Sequence, residues 1–158
     1  MSKLTAYEVS RWFLMKNNIN VRQYGDELLT HLKIQKLLYY AQGIFLAYTN
    51  GIELFEEEIY AWEHGPVVPD VYDIYKINKG NEIEYINDEE DIKILEKVNN
   101  DEDLRDVLEA VFENYGKYSA WHLRNMTHEE KPWKSTPLSQ IISKNIIRDY
   151  FEKEILEA

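Results

Sequence analysis

One helix dictates how this chain can fold. Residues 31–49 are apolar nearly all the way round, with Ile34, Leu37, Leu38, Ala41, Phe45 and Tyr48 recurring at three- and four-residue spacing. That spacing puts the six on one face of a helix. Tyr40, Ile44 and Ala47 add a second apolar strip, and a helix apolar over most of its circumference is buried on several sides. The other elements must therefore wrap around it. Thr30 can cap its start and Gly51 can close its end in a left-handed conformation. Gly43 sits in mid-helix, where glycine costs about 1 kcal/mol relative to alanine. The expected compensation is close approach of another helix or backbone.

The segment that follows is equally constrained. Residues 59–63 alternate as a short strand, His64-Gly65-Pro66 turns the chain sharply, and Val67-Val68-Pro69-Asp70 leads into a helix over 69–79. That helix turns Val71, Tyr72 and Tyr75 inward and stops at Gly80. Residues 82–86 also alternate and are expected to pair with 59–63. Before the central helix, Thr5 and Glu8 form a capping box for a helix ending near Asn17. A polar connection follows, with a short helical turn near 27–29. After the sheet, Asp88-Glu89-Glu90-Asp91 reads as a helix N-terminus favoured by the dipole, and 88–103 is the best candidate for a mobile flap. Asp101 caps a strong helix carrying Leu104, Val107, Leu108, Val111, Phe112 and Tyr115, ended by Gly116. Ser119 caps a shorter one, 127–133 reads as an ordered loop, and Ser143 caps a terminal helix with Ile146, Ile147, Tyr150, Phe151 and Ile155 inward. The expected fold is mainly α (α+β): residues 1–158 as a single helical domain with a small two- or three-stranded antiparallel sheet.

Composition narrows the classes of function. A chain of 158 residues buries roughly 68–70% of its unfolded surface, enough for a core without staples. It has no cysteine, so disulfides and thiolate metal sites are excluded. No signal peptide is evident, and no stretch approaches the roughly 18 uninterrupted apolar residues of a membrane span. A soluble, cytoplasmic protein is expected. Its net charge of −11 argues against nucleic-acid binding, which needs lysine and arginine clusters. The same acidity favours solubility and fast docking to a basic partner.

Catalytic equipment is not evident. The four histidines, at 31, 64, 122 and 128, include no pair four apart with a glutamate between, as a zinc peptidase helix requires. The six glycines lie too far apart to cradle a phosphate, and no Gly-x-Ser-x-Gly elbow exists. Three features remain. Lys33 and Lys36, with Gln35, place positive charge on the apolar helix, either to dock a partner's carboxylate or phosphate, or simply to snorkel or pair with the acidic 56–58 segment. The turn around Trp62 and His64 is a recognition surface or a rigid connector with Trp62 in the core. The stretch from His128 to Trp133 is an interface anchor or a plug over the end of the core. On these residues the chain reads as a protein-binding module without a cofactor. Candidate partner-binding residues are Lys33, Lys36, Tyr40, Trp62, His64, His128 and Trp133. A different class stays open beside it, a hydrolase or transferase built on His64, His128 and nearby acids, with or without a metal.

Two motifs also carry a resemblance. Leu32-Lys33-Ile34-Gln35-Lys36-Leu37-Leu38-Tyr39-Tyr40-Ala41-Gln42-Gly43 and Ala61-Trp62-Glu63-His64-Gly65-Pro66-Val67-Val68-Pro69-Asp70-Val71-Tyr72 resemble the Panacea domain, the family of SocA-like antitoxins and many prophage-borne, phage-associated proteins. Tyr115, Tyr118-Ser119, Thr127-His128-Glu129-x-x-Pro132-Trp133, Ile147 and Tyr150-Phe151 extend the likeness from Ala6 to Phe151. His64 stands where an aromatic or other residue is common, and Ile44-Phe45 where an aromatic-first pair is frequent. The resemblance implies an antitoxin of a bacterial toxin–antitoxin system that neutralises a cognate toxin, encoded by a neighbouring gene, through direct binding. One branch of the family implies an alternative, an adaptor that presents the toxin to an AAA+ protease. Neither reading involves nucleic acid or membrane. The toxin and the oligomeric state stay open.

Overall fold

The computed structural model describes residues 4–78 and 82–157. Among them are α1 (Ala6–Tyr24), α2 (His31–Tyr48), β1 (Tyr60–Trp62), β2 (Gly65–Val67), α3 (Pro69–Tyr75), α4 (Glu90–Asn99), α5 (Glu102–Tyr115), α6 (Ala120–Glu129), α7 (Lys131–Lys134) and α8 (Lys144–Tyr150). The fold is mainly α with one small antiparallel sheet. A 3₁₀ turn, Lys76–Asn78, extends α3, and wide π-type turns over Phe151–Leu156 extend α8. No helix among the described residues is long and apolar enough to cross a membrane.

The central helix does what its sequence demands. Thr30 caps it by accepting from the Lys33 amide at 3.1 Å. Around it pack α1, α3, α5, α6, α8, the hairpin and the Phe151–Leu156 turns. Ile34, Leu37, Leu38, Tyr39, Tyr40 and Ala41 are all fully buried. Tyr48 departs from the expected pattern: it lies at the last turn and is exposed. Gly43 has its compensation in Phe151, whose ring occupies the space a Cβ there would need. The terminal helix thus docks where the central one is thinnest.

Other expectations shift. α1 continues past Asn17 to Tyr24 and is closed by Gly25 at φ 70°, so no helical turn forms near 27–29. α3 ends at Tyr75, and the expected stop at Gly80 lies outside the described residues. Residues 82–86 do not join the hairpin. Glu82 bridges Thr30, and the Ile83 amide donates to the Leu29 carbonyl at 2.7 Å. The strand β1 instead pairs with β2, Tyr60 opposite Val67 and Trp62 opposite Gly65. Its other edge takes 139–142: Ala61 donates to Gln140 O at 2.9 Å and Ile142 to Ile59 O at 2.8 Å. Alternation alone does not say which strand is the partner, and chain returning from far away took the edge.

Nor is 88–103 a loose flap. Asp91 is buried and receives Arg11 Nε at 3.1 Å, Arg11 Nη2 at 2.7 Å and the Tyr85 hydroxyl at 2.6 Å. Burial raises the pKa of this carboxyl, but the Arg11 and Tyr85 hydrogen bonds outweigh it and hold the group below its ordinary value. This clamp ties α4 and 83–88 to α1. The expected loop 127–133 is helical, the end of α6 running into α7 with Pro132 in the first turn.

Candidate functional site

Three polar side chains of α2 hold the surface that follows it. Gln42 spans the segment after the helix, donating to Phe55 O and accepting from Leu54 N, each at 2.8 Å. Gln35 Oε1 accepts from Val68 N at 2.8 Å, just beyond β2. Lys36 Nζ donates to Pro66 O at 3.1 Å, beneath the hairpin. Lys36 is fully buried, and burial together with nearby Arg124 pushes its ammonium pKa down to about 7. The hairpin can lie this close only because of Gly65. A Cβ there would sit 2.9 Å from Lys36 Cε and 2.8 Å from Thr127 Oγ1, and φ is +109°.

The hairpin's outer face meets α6 and α7. The Trp133 indole N–H donates to Trp62 O at 2.8 Å, and the Trp133 ring stacks on His128 with centroids 3.9 Å apart. Burial and Arg124 lower the His128 pKa, against a hydrogen bond to the Glu63 backbone that raises it. At the exposed tip, His64 Nδ1 accepts from Arg124 Nε at 3.2 Å. The Arg124 guanidinium lies 4.3 Å over the Trp121 ring, which is 56% exposed. Trp62 stands edge-on to Tyr72, centroids 4.9 Å apart.

Five of the seven residues singled out in the sequence therefore gather at this hairpin: Lys36, Trp62, His64, His128 and Trp133. Two do not. Lys33 reaches the other way, donating to the Gly116 carbonyl. Tyr40 is buried behind the site, its hydroxyl donating to Glu130 Oε2 at 2.8 Å while Tyr39 donates to Oε1 at 2.9 Å. Tyr40 stacks on Tyr115 at 4.1 Å. Buried as they are, Lys36 and Tyr40 support the surface and present nothing to a partner. Neither lysine pairs with 56–58; Lys144 does, reaching Glu56 O at 2.9 Å and Glu58 Oε1 at 3.3 Å. The Glu130 carboxyl, buried against two tyrosines, is pushed up to about 7 by desolvation even though both hydroxyls favour its charged form.

Two concave regions flank Trp62. One, of about 520 Å³, is lined by Leu32, Gln35, Val67 and Tyr72, with His31, Glu63 and His64 also contributing. The other, of about 590 Å³, carries Glu56, Glu57, Glu58 and Asp70 beside Tyr60. Sequence reasoning missed Gln35, Tyr72, Arg124 and Glu130 as parts of this region. Glu130 lies between the noted His128 and Pro132, but its tyrosine partners are 90 residues away, so no local signal marks it. Among the described residues no group of three His, Asp or Glu side chains is placed to hold a metal ion. His64 accepts from Arg124 and the His128 ring stacks on Trp133, while His128 Nε2 is buried without a hydrogen-bond partner.

Comparison with known proteins gives the same part of the chain a family. The model of the family "Antitoxin SocA-like, Panacea domain" matches residues 34–134, more than half of the chain and narrower than the Ala6–Phe151 span of the resemblance. Those residues include most of α2, the hairpin, α6 and α7. Antitoxin SocA of Caulobacter vibrioides is 33% identical over 113 residues, covering 68% of this chain and 60% of that protein. This chain thus spans less than two thirds of its relative's length. No solved structure matches it. The protein belongs to the SocA-like antitoxin family of Panacea domains.

Proposed function

We propose that this protein is an antitoxin that neutralises a cognate toxin by direct protein–protein binding, and that the whole chain acts as one cytoplasmic domain. The observation that carries the reading is the placement of Trp62, His64, Trp121, Arg124 and Trp133 around one hairpin inside the family-matched residues. Tryptophan and arginine supply much of the affinity of protein interfaces. The hairpin is anchored from below by Gln35 and Lys36 and from the side by Trp133. Little ordering entropy is then lost on binding.

Electrostatics adds the encounter. A toxin that handles RNA or nucleotides has a basic working face, and a chain of net charge −11 is drawn to it. Enzymatic action is not part of this reading. The test is co-expression with the product of the neighbouring gene, scoring growth and co-purification. Toxicity alone, rescue together and a stable complex support direct neutralisation. A neighbour that is harmless alone overturns the antitoxin role for this chain. Rescue without a complex points to the adaptor mechanism instead.

A further inference from the structure

Resting on the antitoxin reading for the identity of the partner, we propose that the two concave regions on either side of Trp62 form one bipartite recognition strip. It takes an extended toxin segment in which an aromatic or large apolar residue stands next to lysine or arginine.

The first half is mostly apolar, with Glu63 and His64 also in its lining and two polar atoms beneath it. Leu32, Val67, Trp62 and Tyr72 form the walls, and a volume of about 520 Å³ falls within the range of real ligand pockets. Gln35 is 1% exposed and His31 6%, yet Gln35 Nε2 and His31 Nδ1 have no hydrogen-bond partner. The Gln35 amide cannot turn over, because its oxygen is committed to Val68 N. Its nitrogen therefore remains a donor. Both atoms are sealed from solvent in the free chain, so a ligand oxygen reaches them when the lining of the cleft shifts on binding, and the unmet donor favours that shift. Both residues lie in the first turns of the 18-residue helix α2, whose dipole favours an acceptor, and the Lys36 ammonium acts in the same direction. The complement of this half is thus an apolar side chain with a carbonyl oxygen beside it, which is what a peptide offers.

The second half is the acidic one. Glu56, Glu57, Glu58 and Asp70 line it together with Tyr60. Lys144 answers Glu58, and Glu57 accepts from Ala6 N at 3.0 Å. The balance stays negative, so its complement is a basic side chain. Because both halves share Trp62, the apolar and the basic residue must be close in the partner's sequence.

The probe is the peptide acetyl-Phe-Lys-Arg-amide, titrated into the ¹⁵N-labelled full chain. The proposal expects shifts of the Gln35 side-chain amide and the Trp62 indole, with acetyl-Ala-Lys-Arg-amide and acetyl-Phe-Glu-Glu-amide each binding about tenfold more weakly or less. Leu32→Glu places a carboxylate in the apolar wall at a helix N-terminus, where an acid is well tolerated, and should weaken the probe by about tenfold with the amide spectrum otherwise intact. Asp70→Lys, on the surface, should remove the preference for the basic peptide. Equal binding of all three peptides, or shifts that avoid Gln35 and Trp62, overturns the strip. Benzamide binding as well as the probe also overturns it and makes the cleft a small-molecule pocket. The two readings fail separately. A toxin complex unaffected by Leu32→Glu and Asp70→Lys overturns the strip and leaves the antitoxin role standing. A harmless neighbour with peptide selectivity preserved does the reverse.

Discussion

Lys36 and Glu130 are two residues whose burial has large consequences over the pH scale. The folded chain holds Lys36 near 7, below its ordinary 10.5, so between those values the unfolded chain binds the extra proton. Lys36 therefore destabilises the fold below about pH 7, and the cost disappears as pH rises toward 10.5. Glu130 is displaced the other way, from 4.5 up to about 7. Its contribution is fully present below about pH 4.5 and lost as pH rises through 7. Thermal melts against pH should show Lys36→Met raising stability at pH 6 by on the order of 2–4 kcal/mol and flattening the rise above pH 7. Glu130→Gln should flatten the fall between pH 4.5 and 7. A melt profile unchanged in either variant would show that the amine or carboxyl is solvated. Gly65→Ala should cost more than about 2 kcal/mol by denaturant unfolding, since the new methyl meets both Lys36 and Thr127 at a left-handed φ. The sequence marked Lys36 as unusual for its charge on an apolar face. It could not show that the partner would be the Pro66 carbonyl, because that contact depends on how the hairpin folds back over the helix.

At the level of elements, two couplings set the fold. The Arg11–Asp91 clamp joins α1 to α4, with side-chain exposures of only 11% and 4%. Arg11→Ala would leave a buried carboxylate unpaired, and unfolding should register a loss of about 3–5 kcal/mol. Hydrogen exchange should localise the loosening to α4 and 83–88 before the rest of the chain opens. The second coupling is the seat of Phe151 over Gly43, where Gly43→Ala should cost on the order of 2–3 kcal/mol by overpacking. The helices were legible wherever a cap and a stripe coincide: Thr5 with Glu8, Thr30, Asp101, Ser119 and Ser143 all cap as their residue types predict. What failed was sheet pairing and the flap. Alternation in 82–86 gives no partner, and the acidity of 88–103 hides Asp91, whose neutralising arginine lies 80 residues earlier.

For the molecule as a whole, the proposed antitoxin role has charge and aromatic display acting together. Carrying 29 acidic against 18 basic residues, the chain should associate with a basic toxin more slowly as salt rises, since screening shortens from about 10 Å at 0.1 M to about 3 Å at 1 M. Stopped-flow association with a cognate toxin should slow by about tenfold or more between low and high salt, while dissociation, governed by the aromatic contacts, changes far less. Much of the candidate surface was legible as motif, because Trp62, His64, His128 and Trp133 are uncommon residues in rigid local settings. The clefts beside Trp62 were not, since Leu32, Gln35 and Tyr72 come together only when α2 and α3 pack against the hairpin. The most direct test of the account is co-expression of this chain with its neighbour's product in a host lacking its AAA+ proteases, followed by light scattering on the purified material. Direct neutralisation predicts full rescue of growth and a stable complex of both chains. Rescue that vanishes without the proteases, with no complex recovered, would contradict it.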